Sequence, residues 1–221
     1  MDRALDRSFF SRDALVVARA LIGTYLVHKE RRARIVETEA YRGPKDLACH
    51  ARAGRTQRTR TLFGPPGHAY VFLIYGMYDC FNVVCLGEGK GHAVLVRGGD
   101  PGVVGGARCD GPGRVARALG ITRAHDGMDL VGSGELYIEP RTKRPRVATS
   151  ARVGVAYAGH MAEKPWRLFD PTSPHVSRPS KRLIGLGLDV GRAVSSLETL
   201  ANGAGSAPRA PGKRLLQRLR A

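Results

Sequence analysis

Short β-rich runs follow one another at hairpin spacing through the first hundred residues, and few helical stretches separate them. Tyr25 to His28 and Arg34 to Tyr41 flank a charged turn. Ala69 to Tyr75 and Cys80 to Leu86 are joined by Gly76-Met77-Tyr78-Asp79, and His92 to Arg97 follows after another glycine turn. Runs this close together pair with their neighbours and leave no room for the crossover helices of a parallel βαβ sheet. Helical signals are sparse: Asp13 to Ile22 between a Ser11 cap and a Gly23 stop, a short stretch from Asp46 to Ala51, and Arg114 to Leu119 ended by Gly120. A further strand is expected at Gly134 to Glu139. The expectation is an α+β fold: one domain with a mainly antiparallel curved sheet, flanking helices and a protruding β-hairpin.

Charge narrows the range of partners. Among 221 residues, 36 Lys and Arg face 19 Asp and Glu, a formal charge of +17 that repels itself unless a polyanion is the working partner. Nucleic acid fits that excess, although a merely soluble basic protein shares it. Cys49, Cys80, Cys85 and Cys109 form no C-x-x-C pair and have no histidines at zinc-finger spacing, so free buried thiols are expected and no metal or other cofactor. Met1-Asp2-Arg3 opens no apolar leader, and no apolar run approaches the roughly 20 residues that span a bilayer. A cytoplasmic chain with no membrane partner is expected, associated with the nucleoid in a bacterium. Residues 178 to 221 hold nine Lys or Arg against Asp189 and Glu198, with an Ala/Gly/Ser/Pro stretch from Ala201 to Pro211. They are expected to form a basic, disordered tail behind a domain of residues 1 to 177.

Three groups of residues could carry chemistry. In the run from 34 to 41, a period of two puts Ile35, Glu37, Glu39 and Tyr41 on one face and Val36, Thr38 and Ala40 on the other. Two carboxylates beside a tyrosine are either a solvated face with cross-strand ion pairs or a catalytic pair, and the period does not choose between Glu37 and Glu39. His50 follows the Gly43-Pro44 break and could fold back to face Tyr41 across a slot for a flat base, or be a structural histidine. Arg52, Arg55, Arg58 and Arg60 lie in a segment with almost no apolar residues, which makes it a solvated loop or a phosphate-binding surface. Tyr75, Met77 and Tyr78 crowd a tight turn, where they either pack beneath the hairpin or form a wedge that enters a base stack.

The run Arg-Ile-Val-Glu-Thr-Glu-Ala-Tyr at 34 to 41, Gly43-Pro44, Asp46 to His50, and Tyr-Gly-Met-Tyr at 75 to 78 with Asn82 resemble the alkyladenine (3-methyladenine) DNA glycosylase family. Leu95-Val96-Arg97, Gly111-Pro112, Arg152-Val153-Gly154-Val155 and Lys164-Pro165 extend the resemblance over roughly residues 8 to 177. It implies that Glu39 is the general base for the attacking water, and that Arg97 and the Val153 carbonyl help to hold that water. Tyr75, with Met77 beside it, would enter the DNA where the target nucleotide is flipped out. Tyr41, His50 and residue 72 would wall the base pocket, and Asn82 would reject guanine by clashing with its exocyclic amine. Phe72 stands where members of the family can carry Tyr, which keeps stacking and removes a hydroxyl.

The implied activity is hydrolytic release of alkylated purines, with hypoxanthine a further candidate, from double-stranded DNA by a monomer. With no lysine in the motif to form a Schiff base, an abasic site should remain and the strand stay intact. The rivals are a non-catalytic basic nucleic-acid-binding protein and a hydrolase that uses paired carboxylates on a small nucleoside or sugar.

Overall fold

A computed structural model describes residues 4 to 102, 107 to 131 and 134 to 177; the tail expected at 178 to 221 lies outside the described residues. Two short helices, α1 (Arg7–Phe10) and α2 (Ala14–Leu21), lead into strands β1 (Tyr25–His28), β2 (Arg31–Arg42), β3 (Ala69–Ile74), β4 (Tyr78–Cys85) and β5 (His92–Asp100). Helix α3 (Pro112–Leu119) and strands β6 (Leu136–Glu139), β7 (Ala148–Ser150) and β8 (Arg167–Phe169) follow. The strands form one antiparallel sheet in the order β3-β4-β5-β2-β1-β6, while β8 joins the middle of β2 and carries β7 on its other edge. This is the expected α+β arrangement, with a curled sheet and few helices.

One face of the sheet packs against the helices. Val17, Ala18 and Leu21 of α2 and Val115, Ala116 and Leu119 of α3 close over Val71, Phe81, Val83, Val94 and Val96, all buried. Apolar burial at about 25 cal/mol per Å2 makes this layer the main stabilising term. The helix ends agree with local chemistry. Pro112 occupies the first turn of α3, and Gly120 ends it in the left-handed region at φ 69, where its N–H reaches the Ala116 and Arg117 carbonyls. Helix α2 is capped by Asp13, whose side chain accepts from the Leu15 N–H, rather than by the expected Ser11, which ends α1 instead.

The two-residue period of β2 is interrupted. Its ladder with β5 pairs Ile35 with Gly99, Glu37 with Gly98 and Thr38 with Val96, so an extra residue enters each strand, Val36 in one and Arg97 in the other. Ala33 and Ile35 belong to the helix-covered core before the bulge, and Ala40 belongs to it after. Thr38, also beyond the bulge, donates its hydroxyl to the Ala18 carbonyl of α2. Ile35 therefore does not share a face with Glu37, Glu39 and Tyr41, which corrects the expectation from simple alternation. Gly98 makes the bulge possible, since a Cβ there would lie 2.9 Å from the Glu37 Cβ and 3.0 Å from its Oε2.

Two smaller corrections concern turns. The stretch from 46 to 51 is a turn followed by a 3-10 helix at His50–Ala53. Strands β3 and β4 are joined by Tyr75, Gly76 and Met77, with Ile74 paired to Tyr78. Successive positive φ values at Tyr75 (52°) and Gly76 (67°), closed by the Met77 N–H on the Ile74 carbonyl, make the right-handed-twist turn that suits a hairpin.

Candidate active site

The face of the sheet turned away from the helices carries the candidate residues in register. Glu39 pairs with Leu95, Leu95 with Asn82 and Asn82 with Tyr70, so one row crosses β2, β5, β4 and β3. The flanking row holds Tyr41, Ala93 and Val84, and Phe72 pairs with Cys80 on the hairpin side. Residues as far apart in sequence as 39 and 82 thus become neighbours through strand pairing alone.

Glu37 and Glu39 are both wholly buried, which removes the reading of a solvated strand face. Buried carboxylates need donors, and the two find different ones. Glu37 Oε1 accepts from Arg167 Nε at 2.6 Å and Ser177 Oγ at 2.8 Å, and its Oε2 accepts from the Ser177 N–H at 2.6 Å. Glu39 Oε1 accepts from the Val153 N–H at 2.7 Å, and its Oε2 from the Tyr41 hydroxyl at 2.9 Å. Burial, then the neighbouring Glu39 charge, holds the Tyr41 phenol well above its ordinary value, so it remains a donor. Arg97 lies between the carboxylates, its Nε 3.3 Å from Glu37 Oε1 and 3.6 Å from Glu39 Oε1. It donates to Ser177 Oγ at 3.1 Å. Glu39, Arg97 and Val153 thus lie together, with the Val153 N–H bonded to Glu39.

Beneath this cluster lies a second buried pair. Arg152 donates through Nη1 to Asp46 Oδ2 at 2.6 Å and through Nη2 to Asp46 Oδ1 at 2.9 Å, with further bonds to the Ala40 and Met161 carbonyls. Its guanidinium lies 4.8 Å from the centre of the Tyr41 ring and 4.9 Å from that of Trp166. Arg152 directly precedes Val153, so the pair anchors both neutral donors of Glu39, the phenol through its ring and the N–H through the chain.

His50 packs against Phe72 (ring centres 4.5 Å apart) and Tyr70 (6.2 Å), with Nδ1 3.0 Å from the Tyr70 hydroxyl. Burial, then the nearby Arg58, pushes the His50 pKa down to about 4, so the ring is neutral at physiological pH. Tyr41 and Phe72 both pack on the cluster containing Tyr70 and Val84, which puts Tyr41, His50 and Phe72 around one region. Asn82 is buried, and its Nδ2 donates to the Tyr70 carbonyl at 3.0 Å and the Cys80 carbonyl at 3.2 Å, so its amide is fixed.

The hairpin tip is solvent-exposed: Tyr75 is 44%, Met77 68% and Tyr78 39% accessible. The aromatics are therefore not packed beneath the hairpin. A non-glycine at positive φ costs on the order of 1 kcal/mol, and here it holds the Tyr75 ring at the apex. Arg52, Arg55, Arg58 and Arg60 are exposed and form no ion pair among the described residues. No helix among the described residues is long and apolar enough to cross a membrane, and no group of three or more His, Cys, Asp or Glu there could hold a metal. Sequence reasoning missed Arg167 and Ser177, and it quoted Asp46 and Arg152 without giving them a role. Nothing local marks such partners, since 106 residues separate Asp46 from Arg152 and 140 separate Glu37 from Ser177.

Comparison with known proteins adds an independent line. Residues 8–174 match the family model described as methylpurine-DNA glycosylase. The chain is 53% identical over 182 residues to a protein of Myxococcus xanthus, covering 79% of this chain and 93% of that one. It is 45% identical over 191 residues to a protein of Methanocella arvoryzae, with 79% and 96% covered. A Legionella pneumophila protein is 42% identical over 181 residues, with 80% and 99% covered. The names of all three contain the words 3-methyladenine DNA glycosylase.

Proposed function

The chain belongs to the methylpurine-DNA glycosylase family, and from that membership we propose that it hydrolyses the bond between an alkylated purine and its deoxyribose in duplex DNA. Glu39 is the general base. The observation that carries this assignment is the contrast between the two buried glutamates. Glu37 is occupied by a guanidinium and both donors of Ser177, whereas Glu39 is held by neutral donors with Arg97 near.

Alkylation at N3 or N7 places positive charge on the purine and weakens its glycosidic bond, so the base leaves with the bonding electrons and needs little acid catalysis. Water attacks C1′ from the opposite side and yields its proton to Glu39, whose charge also stabilises the oxocarbenium-like sugar. Arg97 and the Val153 carbonyl hold that water. The products are a neutral base and an abasic site. No lysine takes part, and the strand stays intact.

Tyr75 and Met77 enter the duplex and take the place of the extruded nucleotide, which recovers part of the few kcal/mol lost on unstacking. Tyr41, His50 and Phe72 stack on the base. Neutrality of His50 supports this reading, because a protonated imidazole would repel a cationic purine. Asn82, fixed by two backbone carbonyls, cannot turn aside to admit the exocyclic amine of guanine. Arg52, Arg55, Arg58 and Arg60 contact phosphates, and the segment from 178 to 221 adds non-specific attraction. The substrates are 3-methyladenine and 7-methylguanine, and the enzyme acts as a monomer; hypoxanthine, a neutral base, is a further candidate whose release would also need a proton delivered to the leaving purine.

Release of free base from alkylated duplex, hypoxanthine-containing duplex and the free nucleoside, measured side by side, tests the reading. Release from alkylated duplex and not from the nucleoside is expected. Glu39→Gln should lower the single-turnover rate by about 100-fold or more while lesion-containing DNA is still bound. Undiminished release by that variant would remove Glu39 from the mechanism.

A further inference from the structure

Arg97 is shared, and unequally. Its Nε donates to Ser177 Oγ at 3.1 Å and lies 3.3 Å from Glu37 Oε1, while Glu39 Oε1 is 3.6 Å away, beyond hydrogen-bond length. Ser177 Oγ in turn donates to Glu37 Oε1, so two paths, one direct and one through the serine, tie the guanidinium to Glu37. Arg167 bonds Glu37 Oε1 and the Ser177 carbonyl, closing the frame around both. We propose that Glu37 is a positioning residue: together with Ser177 it keeps Arg97 from a direct hydrogen bond to Glu39, so that the base feels the cation at 3.6 Å but takes its hydrogen bonds from neutral donors alone.

The physical reason is competition for one cation. A largely desolvated guanidinium favours an anionic partner, and without Glu37 the nearest one left to Arg97 is Glu39. A shift of a few tenths of an ångström would then make a direct charged hydrogen bond, which stabilises the carboxylate and makes it a poorer proton acceptor. Arg97 would also be drawn from the position in which it meets the water. The pair of carboxylates therefore divides its work: one satisfies the cation and the other accepts the proton. This explains why two buried acids stand two residues apart on one strand, which a single-base mechanism does not require.

The inference rests on Glu39 being the base, and the experiment separates the two claims. Single-turnover base release from alkylated duplex is measured for wild type, Glu37→Gln, Ser177→Ala, Arg97→Gln and both double variants with Arg97→Gln, with folding checked by thermal melting. Glu37→Gln should slow release about tenfold or more and Ser177→Ala by severalfold, with the half-saturating enzyme concentration changed by less than about twofold. In the Arg97→Gln background the same changes should alter the rate by less than about threefold, because their effect passes through that arginine. A merely structural role would give additive losses and altered binding. Normal rates in Glu37→Gln and Ser177→Ala, or losses that persist undiminished without Arg97, would overturn the inference. Should Glu37→Gln not fold, the Ser177→Ala cycle decides alone. Wild-type protein that releases no base would overturn the glycosylase reading as well, whereas release lost in Glu39→Gln but intact in Glu37→Gln and Ser177→Ala overturns only this one.

Discussion

Replacing Asp46 by Asn keeps the shape of the side chain and removes its charge, leaving the Arg152 guanidinium as a buried cation with no anion on it. Both side chains are essentially inaccessible, at 0% and 1%. Bonds to the Ala40 and Met161 carbonyls remain, and the substituted amide could still accept one hydrogen bond, but neither compensates a full charge. Breaking a buried pair from one side costs about 3–5 kcal/mol. For a domain of this size each kcal/mol moves Tm by about 2–4 °C, so a fall of roughly 6–20 °C is expected by calorimetry or circular dichroism. The only tryptophan, Trp166, lies against the same guanidinium and supplies a fluorescence signal from that spot. A double variant, Asp46→Asn with Arg152→Met, should regain part of the loss, because it removes the charge along with its partner. A Tm within about 2 °C of wild type for Asp46→Asn, or a double variant less stable than the single, would refute the argument from unpaired charge.

Tyr75→Gly should leave Tm at or slightly above wild type, since it relieves positive-φ strain at about the cost of glycine's added freedom, yet it should abolish most base release. A Tm fall of many degrees would show that the ring is structural. Changing Arg52, Arg55, Arg58 and Arg60 to Gln should lower the slope of log affinity against log salt by close to one for each phosphate no longer neutralised, on damaged and undamaged duplex alike. An unchanged slope would remove this loop from the DNA interface. Because His50 has a folded pKa of about 4 against an ordinary 6.5, the unfolded chain takes up its proton first. Its contribution is complete above about pH 6.5 and is lost as pH falls toward 4, so the stability gap between wild type and His50→Gln should change over that window in urea titrations. A gap that stays constant from pH 7 to pH 4.5 would contradict the burial of a neutral ring.

Much of the architecture could be read from the chain because it is written locally. Hairpin spacing located β3 and β4, and Gly120 placed the end of α3, although the helix starts at Pro112 rather than at Arg114. What was not legible depends on partners distant in sequence. Glu37 and Glu39 have the same parity, and only Arg167, Ser177 and Val153, more than a hundred residues away, give them different surroundings. Resemblance to a family favoured Glu39, but it said nothing about why the other acid is there. The packing of His50 on Phe72 and Tyr70 was not legible either, because the 3-10 turn that carries it meets β3 only in the folded chain. Alternation failed at Ile35, since a strand read alone cannot announce that its partner will supply an extra residue at Arg97.

That paired bulge has a bearing on how the chain can be cut and rejoined. Up to Ile35, odd-numbered residues of β2 enter the helix-covered core; from Thr38 onward, even-numbered ones do. The strand is in effect two modules with opposite reading frames, spliced at Val36. Deleting Val36 without adjusting Arg97 would turn either the core residues or the two glutamates inside out. Val36 and Arg97 therefore have to be kept, or removed, as a pair.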